Sequence, residues 1–291
     1  MRADEVERVL VVGAGTMGSQ IALQCAAHGV SVVMLDADPA ALTRARSLLA
    51  GLGVALAGEP AFVAVDLVAA VAGITYESDP GTAALDVDIV SESVPEDPAL
   101  KGAVLGELDR HCPARTVFAT NTSSLLPSMF ADATGRPDRL AALHFHQPVW
   151  SANLVDVMPH AGTSPETVEL LVGFAERIGQ VPIRLHKESA GYVFNAMYNA
   201  LNREAITLAA NGVASVEDVD RAWTTVMKTP RGPFGMLDVV GVDTAWHITD
   251  YWARVTQDPQ LLANAAWLKR YVDEGRAGVK AGRGFYDYGT R

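Results

Sequence analysis

Two cysteines, Cys25 and Cys112, are all that 291 residues contain, and neither has a partner at CxxC spacing. That excludes a disulfide framework and sets the expectation of a reducing, cytoplasmic compartment. Cations are also scarce: 23 Lys and Arg stand against 34 Asp and Glu, for a net charge of -11, and none of the 23 falls between Arg46 and Lys101. A chain this acidic, with no basic run, is expected to bind neither nucleic acid nor an anionic membrane. Long apolar runs are missing too. The nearest, Ala50 to Ile74, is interrupted by glycines, Glu59, Pro60 and Asp66, which argues against a spanning helix. Met1 to Arg8 is charged and lacks the apolar centre of an export signal. With 49% hydrophobic and 20% charged residues, the chain has the balance of a globular protein of one large or two medium domains.

The first pattern carrying chemistry lies near the N-terminus. Val9 to Val12 reads as a buried parallel strand. Gly13-Ala14-Gly15-Thr16-Met17-Gly18 follows it, and Ile21, Ala22, Cys25 and Ala26 then recur at helical spacing. Ser31 to Leu35 reads as a second strand, ending at Asp36. In this strand–loop–helix–strand–acid order, Gly13 permits the turn, Gly15 admits a pyrophosphate and Gly18 lets helix and strand pack closely. The N–H groups of the helix start at Thr16 and Met17 face the phosphates. Asp36, 18 residues beyond Gly18, can accept from both ribose hydroxyls and would repel a 2'-phosphate. The expected cofactor is NAD rather than NADP.

Further strands are expected at 86–90, 116–119, 140–145, 154–158 and 181–185, with helices over 40–49, 98–110 and 163–178. After Lys187 only helical periodicity remains. The expected fold is α/β: a Rossmann-type doubly wound parallel sheet domain over 1–187, then an all-helical domain over 188–291. Three residue types gather where such a sheet presents its ligand crevice. Ser123 follows one strand, His144 ends another, and Asp156 lies on the next. If those strands pair, a carboxylate on one imidazole nitrogen fixes the tautomer and leaves the other free to exchange a proton. His146, His160 and His186 read as structural histidines. No metal site is expected.

Six ordered segments resemble the L-3-hydroxyacyl-CoA dehydrogenases. These are Asn121-Thr122-Ser123-Ser124-Leu125, His144-Phe145-His146-Gln147-Pro148-Val149, Leu154-Val155-Asp156-Val157, Ala190-Gly191-Tyr192-Val193-Phe194-Asn195, the run from Gly232 to Asp243, and Gly282-Arg283-Gly284-Phe285-Tyr286. The resemblance implies an NAD-dependent interconversion of 3-hydroxyacyl and 3-ketoacyl thioesters, as in fatty acid metabolism. It implies His144 as general base, Asp156 as its partner in place of the family's Glu, and Ser123 and Asn195 as hydrogen-bonding groups for the substrate. It sets Glu96, Lys101 and Asn121 at the cofactor, although Lys101 by itself reads as a helix-surface lysine. It also implies a homodimer through the helical domain, which would suit Phe234, Met236, Leu237 and the stretch Trp246 to Trp252. Trp150 is expected to add bulk near the acyl site. One departure stands out. Gly51 to Gly73, often Lys-rich in the family where it helps hold CoA, has no basic residue here. A carrier-protein-bound or free hydroxy acid is therefore an alternative substrate, and a non-catalytic NAD-binding protein is the alternative of another class.

Overall fold

The structure of the protein, a computed structural model, describes residues 1–289. Contacts divide the chain into two compact units, Met1–Val193 and Phe194–Arg291.

In the first unit, eight strands form one sheet: β1 (Arg8–Val12), β2 (Ser31–Leu35), β3 (Thr75–Glu77), β4 (Ile89–Glu92), β5 (Val117–Thr120), β6 (Leu140–Phe145), β7 (Leu154–Pro159) and β8 (Val181–Arg184). Their spatial order is β3-β2-β1-β4-β5-β6-β7-β8. Every pair is parallel except β6 with β7, which is antiparallel. The parallel sheet carries one antiparallel pair. Only residues 146–153 separate β6 from β7, too few for a parallel crossover, which takes a dozen or more. Helices α1 (Thr16–Ala27), α2 (Pro39–Ala55), α3 (Leu67–Ala72), α4 (Pro80–Ala83), α5 (Pro98–Asp109) and α6 (Pro165–Arg177) make the remaining connections, except that β5 reaches β6 through short 3-10 turns at Pro127–Met129, Ala131–Thr134 and Pro137–Arg139.

The central strands are mostly apolar because helices cover both faces, with polar residues kept to their carboxyl ends. Val9, Val11, Val32 and Met34 face one core with Ile21, Leu49, Phe62 and Phe174. Leu10, Val12, Val33 and Val90 face the other with Leu105, Leu108 and Phe118. Asp38, Asp97 and Ser164 cap α2, α5 and α6, each accepting a backbone N–H of the first turn ahead of a proline. The expectation passed over β3 and α4. They span three and four residues, too short for any periodicity to show.

The second unit holds α7 (Phe194–Ala210), α8 (Val216–Met227), α9 (Pro233–Val240), α10 (Val242–Thr256) and α11 (Pro259–Asp273). Its core gathers Ile206, Phe234, Leu237, Val242, Leu268 and Phe285. Phe234 and Leu237, expected to suit an interface between subunits, are therefore interior residues of their own unit. Asp238, fully buried, accepts from the Phe285 N–H at 2.8 Å, the Tyr286 N–H at 3.0 Å and the Tyr288 hydroxyl at 2.8 Å. Those bonds tie the C-terminal Gly-x-Gly-Phe-Tyr segment to α9 and satisfy a carboxylate that would otherwise be costly to bury. Among the described residues no helix is long and apolar enough to cross a membrane.

Candidate active site

The strand order reverses about β1 and β4, so connections leave these neighbours to opposite sides and open a crevice at their carboxyl ends. A cleft of about 880 Å³ lies there. It is lined by the glycine loop (Gly13, Gly15, Met17), by Asp36 after β2, by Glu96 and Lys101, and by Asn121 and Ser123 after β5. The loop fits a dinucleotide. Gly13 has φ +98°, and a Cβ there would stand 2.8 Å from the Ser93 carbonyl oxygen. A Cβ on Gly18 would stand 1.9 Å from the Gly13 carbonyl oxygen, so Gly18 serves the packing of α1 on β1 and does not line the cleft. Nothing lies within 4 Å of a Cβ built on Gly15, which leaves its backbone open to a phosphate. Thr16 is the first residue of α1 and is exposed.

One Asp36 oxygen accepts from the Ala14 N–H at 2.8 Å, the other from the Asp38 N–H at 2.9 Å. These bonds hold the carboxylate beside the cleft. Asp36→Asn is expected to raise the KM for NADH about tenfold, since hydrogen bonds to charged groups are worth ~1.5–3 kcal/mol. It should also narrow the preference over NADPH by removing the repulsion of a 2'-phosphate. Steady-state kinetics with both cofactors checks this, and an unchanged ratio would take Asp36 out of the selection.

The β6–β7 register places His144 opposite Asp156. His144 Nδ1 lies 3.2 Å from Asp156 Oδ2, and its Nε2 lies 3.2 Å from Ser123 Oγ. Asp156 is fully buried and His144 is 4% exposed. Burial pushes the Asp156 carboxyl up, but hydrogen bonds from His144 and His146 together outweigh it and hold the group below the usual carboxylate value. An ionised Asp156 accepts only, so it fixes the proton on Nδ1 and leaves Nε2 as the basic nitrogen. The Tyr192 ring lies flat on the His144 imidazole, centroids 4.4 Å apart, and its hydroxyl donates to the Thr122 carbonyl at 2.5 Å. Burial, with Glu96 and Asp156 nearby, pushes the Tyr192 phenol up, so it remains a donor.

Glu96 organises the loop after β5. It accepts from the Thr122 hydroxyl at 2.7 Å and from the Ser123 and Ser124 N–H groups at 2.5 and 3.2 Å. Although its partial burial pushes the other way, these bonds and Lys101 keep it ionised below the usual range. Asn121 accepts from the Phe145 N–H at 2.8 Å, tying the ends of β5 and β6 together.

Lys101 and His146 depart from expectation. Lys101 is no surface lysine. It is 1% exposed, and its Nζ donates to Glu92 at 2.8 Å and to the Val94 carbonyl at 3.0 Å. The α5 helix turns that face into the protein because Glu92, at the buried end of β4, supplies a counter-charge. Trp150 is partly buried and packs against the sheet core. His160 is structural, 2.8 Å from the Pro137 carbonyl, but His146 bonds Asp156. Asn195 lies in the first turn of α7, in the second unit. Sequence reasoning gave no role to Glu92 or Tyr192. The signal for Glu92 was present: like His144, it stands at the carboxyl end of a buried strand.

The model of the 3-hydroxyacyl-CoA dehydrogenase NAD-binding domain matches residues 8–189, and that of the C-terminal domain matches 191–288. The chain belongs to the 3-hydroxyacyl-CoA dehydrogenase family. The human mitochondrial hydroxyacyl-coenzyme A dehydrogenase is 34% identical to this dehydrogenase over 97% of the chain and 91% of its own length. The solved (S)-3-hydroxybutyryl-CoA dehydrogenase of Ralstonia eutropha is 30% identical, with a TM-score of 0.86, covering 98% of this chain and all of the other. A solved diketoreductase, described as acting on dicarbonyl compounds, is 40% identical with a TM-score of 0.91, covering 97% and 99%. As a member of the family the protein is an NAD-dependent dehydrogenase acting on a CH–OH group.

Proposed function

We propose that this dehydrogenase interconverts 3-hydroxyacyl and 3-ketoacyl thioesters with His144 as general base and Asp156 as its partner. The observation that carries the reading is the chain of contacts from Ser123 Oγ through both His144 nitrogens to the buried Asp156 oxygen. NAD, when bound, supplies the hydride acceptor. In oxidation, Ser123 Oγ orients the 3-hydroxyl and His144 Nε2 takes its proton. Asp156 then stabilises the imidazolium that results. In reduction the same imidazolium returns the proton to the developing alkoxide. Glu96 holds the loop that carries Ser123, and Tyr192 holds the imidazole plane. The cleft supports a cofactor site at Gly13, Gly15, Met17, Asp36, Glu96, Lys101 and Asn121.

The test is NADH oxidation with acetoacetyl-CoA, set beside the matching keto acid without CoA. Turnover with acetoacetyl-CoA, at a kcat/KM well above that for the free acid, supports the thioester reading. Preference for the free compound would overturn it and favour a second reading, reduction of an unattached dicarbonyl. Two observations favour that second reading: the 40% identity to the diketoreductase and the absence of Lys and Arg from 51–73.

We also infer a homodimer built through the second unit. The α10 helix exposes Ile248, Tyr251, Trp252 and Val255 at 47, 60, 49 and 57%. Their spacing of three, four and seven residues makes one apolar stripe. Light scattering is expected to give twice the chain mass of 30.9 kDa, and Trp252→Arg should lower it toward that of one chain. A wild-type monomer would remove the dimer. The buried free thiols of Cys25 and Cys112, pushed up to about 12 and about 11 chiefly by burial, suit a reducing, cytoplasmic setting.

A further inference from the structure

Asp156 holds two imidazoles with one oxygen. Its Oδ2 lies 3.2 Å from His144 Nδ1 and 3.0 Å from His146 Nε2, while its Oδ1 is buried with no hydrogen-bond partner. The two rings stand nearly edge to face, centroids 4.8 Å apart, so neither displaces the other from the shared oxygen. His144 and His146 are two apart on one strand and its continuation, and therefore lie on the same face of the sheet.

We propose that His146 is a positioning residue of this dehydrogenase, its Nε2–H acting with His144 Nδ1–H to keep the Asp156 carboxylate aimed at the base. The proposal rests on His144 being that base. A fully buried carboxylate needs donors, since water reaches neither oxygen. On β7, Asp156 pairs with His144 of β6 and Ile183 of β8, and Ile183 offers an apolar side chain. His144 alone would leave one neutral donor for a buried negative charge. The second imidazole adds an N–H to the same carboxylate oxygen and so fixes its position. It thereby guards the geometry in which Nδ1 carries the proton and Nε2 remains basic. The other charged or titratable groups gathered around the dyad are the Tyr192 phenol, Glu96, and Glu92 with its partner Lys101. Among these, Tyr192 stacks on His144 while Lys101 is engaged by Glu92.

Two variants separate donation from shape. His146→Phe keeps a ring and removes the donor; His146→Gln keeps an amide N–H and removes the ring. His146→Phe is expected to lower kcat about tenfold, leaving NADH affinity and the substrate KM within about twofold. His146→Gln should recover most of the loss. The acid limb of the kcat profile should also move to higher pH in His146→Phe, because Asp156 loses a bond that favours its ionised form. Wild-type kcat in His146→Phe, or equal impairment in both variants, would overturn the proposal. A readout on the wild-type protein without cofactor avoids any folding defect. Imidazole ¹⁵N spectra near neutral pH should show protonated Nε2 on His146 and protonated Nδ1 on His144. An unprotonated His146 Nε2 would exclude it as the donor. His144→Gln tells the two failures apart. If that variant keeps its turnover the base assignment fails, whereas an inactive His144→Gln beside a fully active His146→Phe sinks only the role of His146.

Discussion

His144→Gln is expected to lower kcat by about 10²–10⁴-fold, the usual contribution of a positioned general base, while NADH binding is preserved. The geometry makes this the most damaging single change to turnover. His144 is the only group that joins the Ser123 hydroxyl to the buried Asp156 carboxylate in the network described, through two contacts of 3.2 Å. Glutamine fills much of the same space and presents an amide, but it cannot accept a proton at neutral pH. The cofactor cleft is lined by residues from β1, β2, α5 and the loop after β5, and His144 is not among them, so NADH fluorescence titration should give a Kd close to wild type. Turnover within about tenfold of wild type, below the lower bound for base catalysis, would remove His144 from the proposed mechanism. Loss of NADH binding in the same variant would instead show that it misfolds.

How much of this site could be read in the sequence depends on how local each signal was. The glycine loop and Asp36 were legible because strand, turn, helix and acid follow one another within thirty residues. Any Cβ on Gly13 or Gly18 would strike backbone. The pairing of His144 with Asp156 was visible only as a condition, that two strands be neighbours. The short connection between them made them antiparallel and set the register. Burial was harder. Lys101 on a helix reads as solvated until its partner is known, and Glu92 comes nine residues earlier at the end of another element. His146 read as structural because a lone histidine most often is; that one oxygen bonds two rings is a fact of distance. Tyr192 sat inside a quoted motif, but its stacking on His144 joins positions 48 residues apart. Short β3 and α4 carried no periodicity at all.

Lys101→Met is expected to destabilise the protein by about 3–5 kcal/mol, the cost of leaving one member of a buried ion pair uncompensated. Lys101 and Glu92 are 1% and 0% exposed and 2.8 Å apart. Glu92 would keep the Thr120 hydroxyl at 2.7 Å and the Val94 N–H at 2.7 Å, two neutral donors for a full charge in a dry site. Methionine matches the lysine stem in length and leaves no large void, so the loss measures charge more than volume. For a unit of 193 residues, each kcal/mol corresponds to roughly 2–4 °C in Tm, so the midpoint without cofactor should fall by roughly 6–20 °C. The partner substitution decides the cause. In the double variant Glu92→Gln, Lys101→Met the buried charge is gone, and most of the lost stability should return. If the double variant is as unstable as Lys101→Met, the defect lies in packing around α5. If Lys101→Met melts at the wild-type temperature, the pair does not hold β4 to α5, and the reading of Lys101 as a buried structural cation beside the cofactor cleft is wrong. Glu96 provides a second readout in the same variants. It lies 3.5 Å from Lys101 and accepts from the Ser123 N–H, so losing the cation should loosen the loop carrying Ser123 and lower kcat even where the protein remains folded.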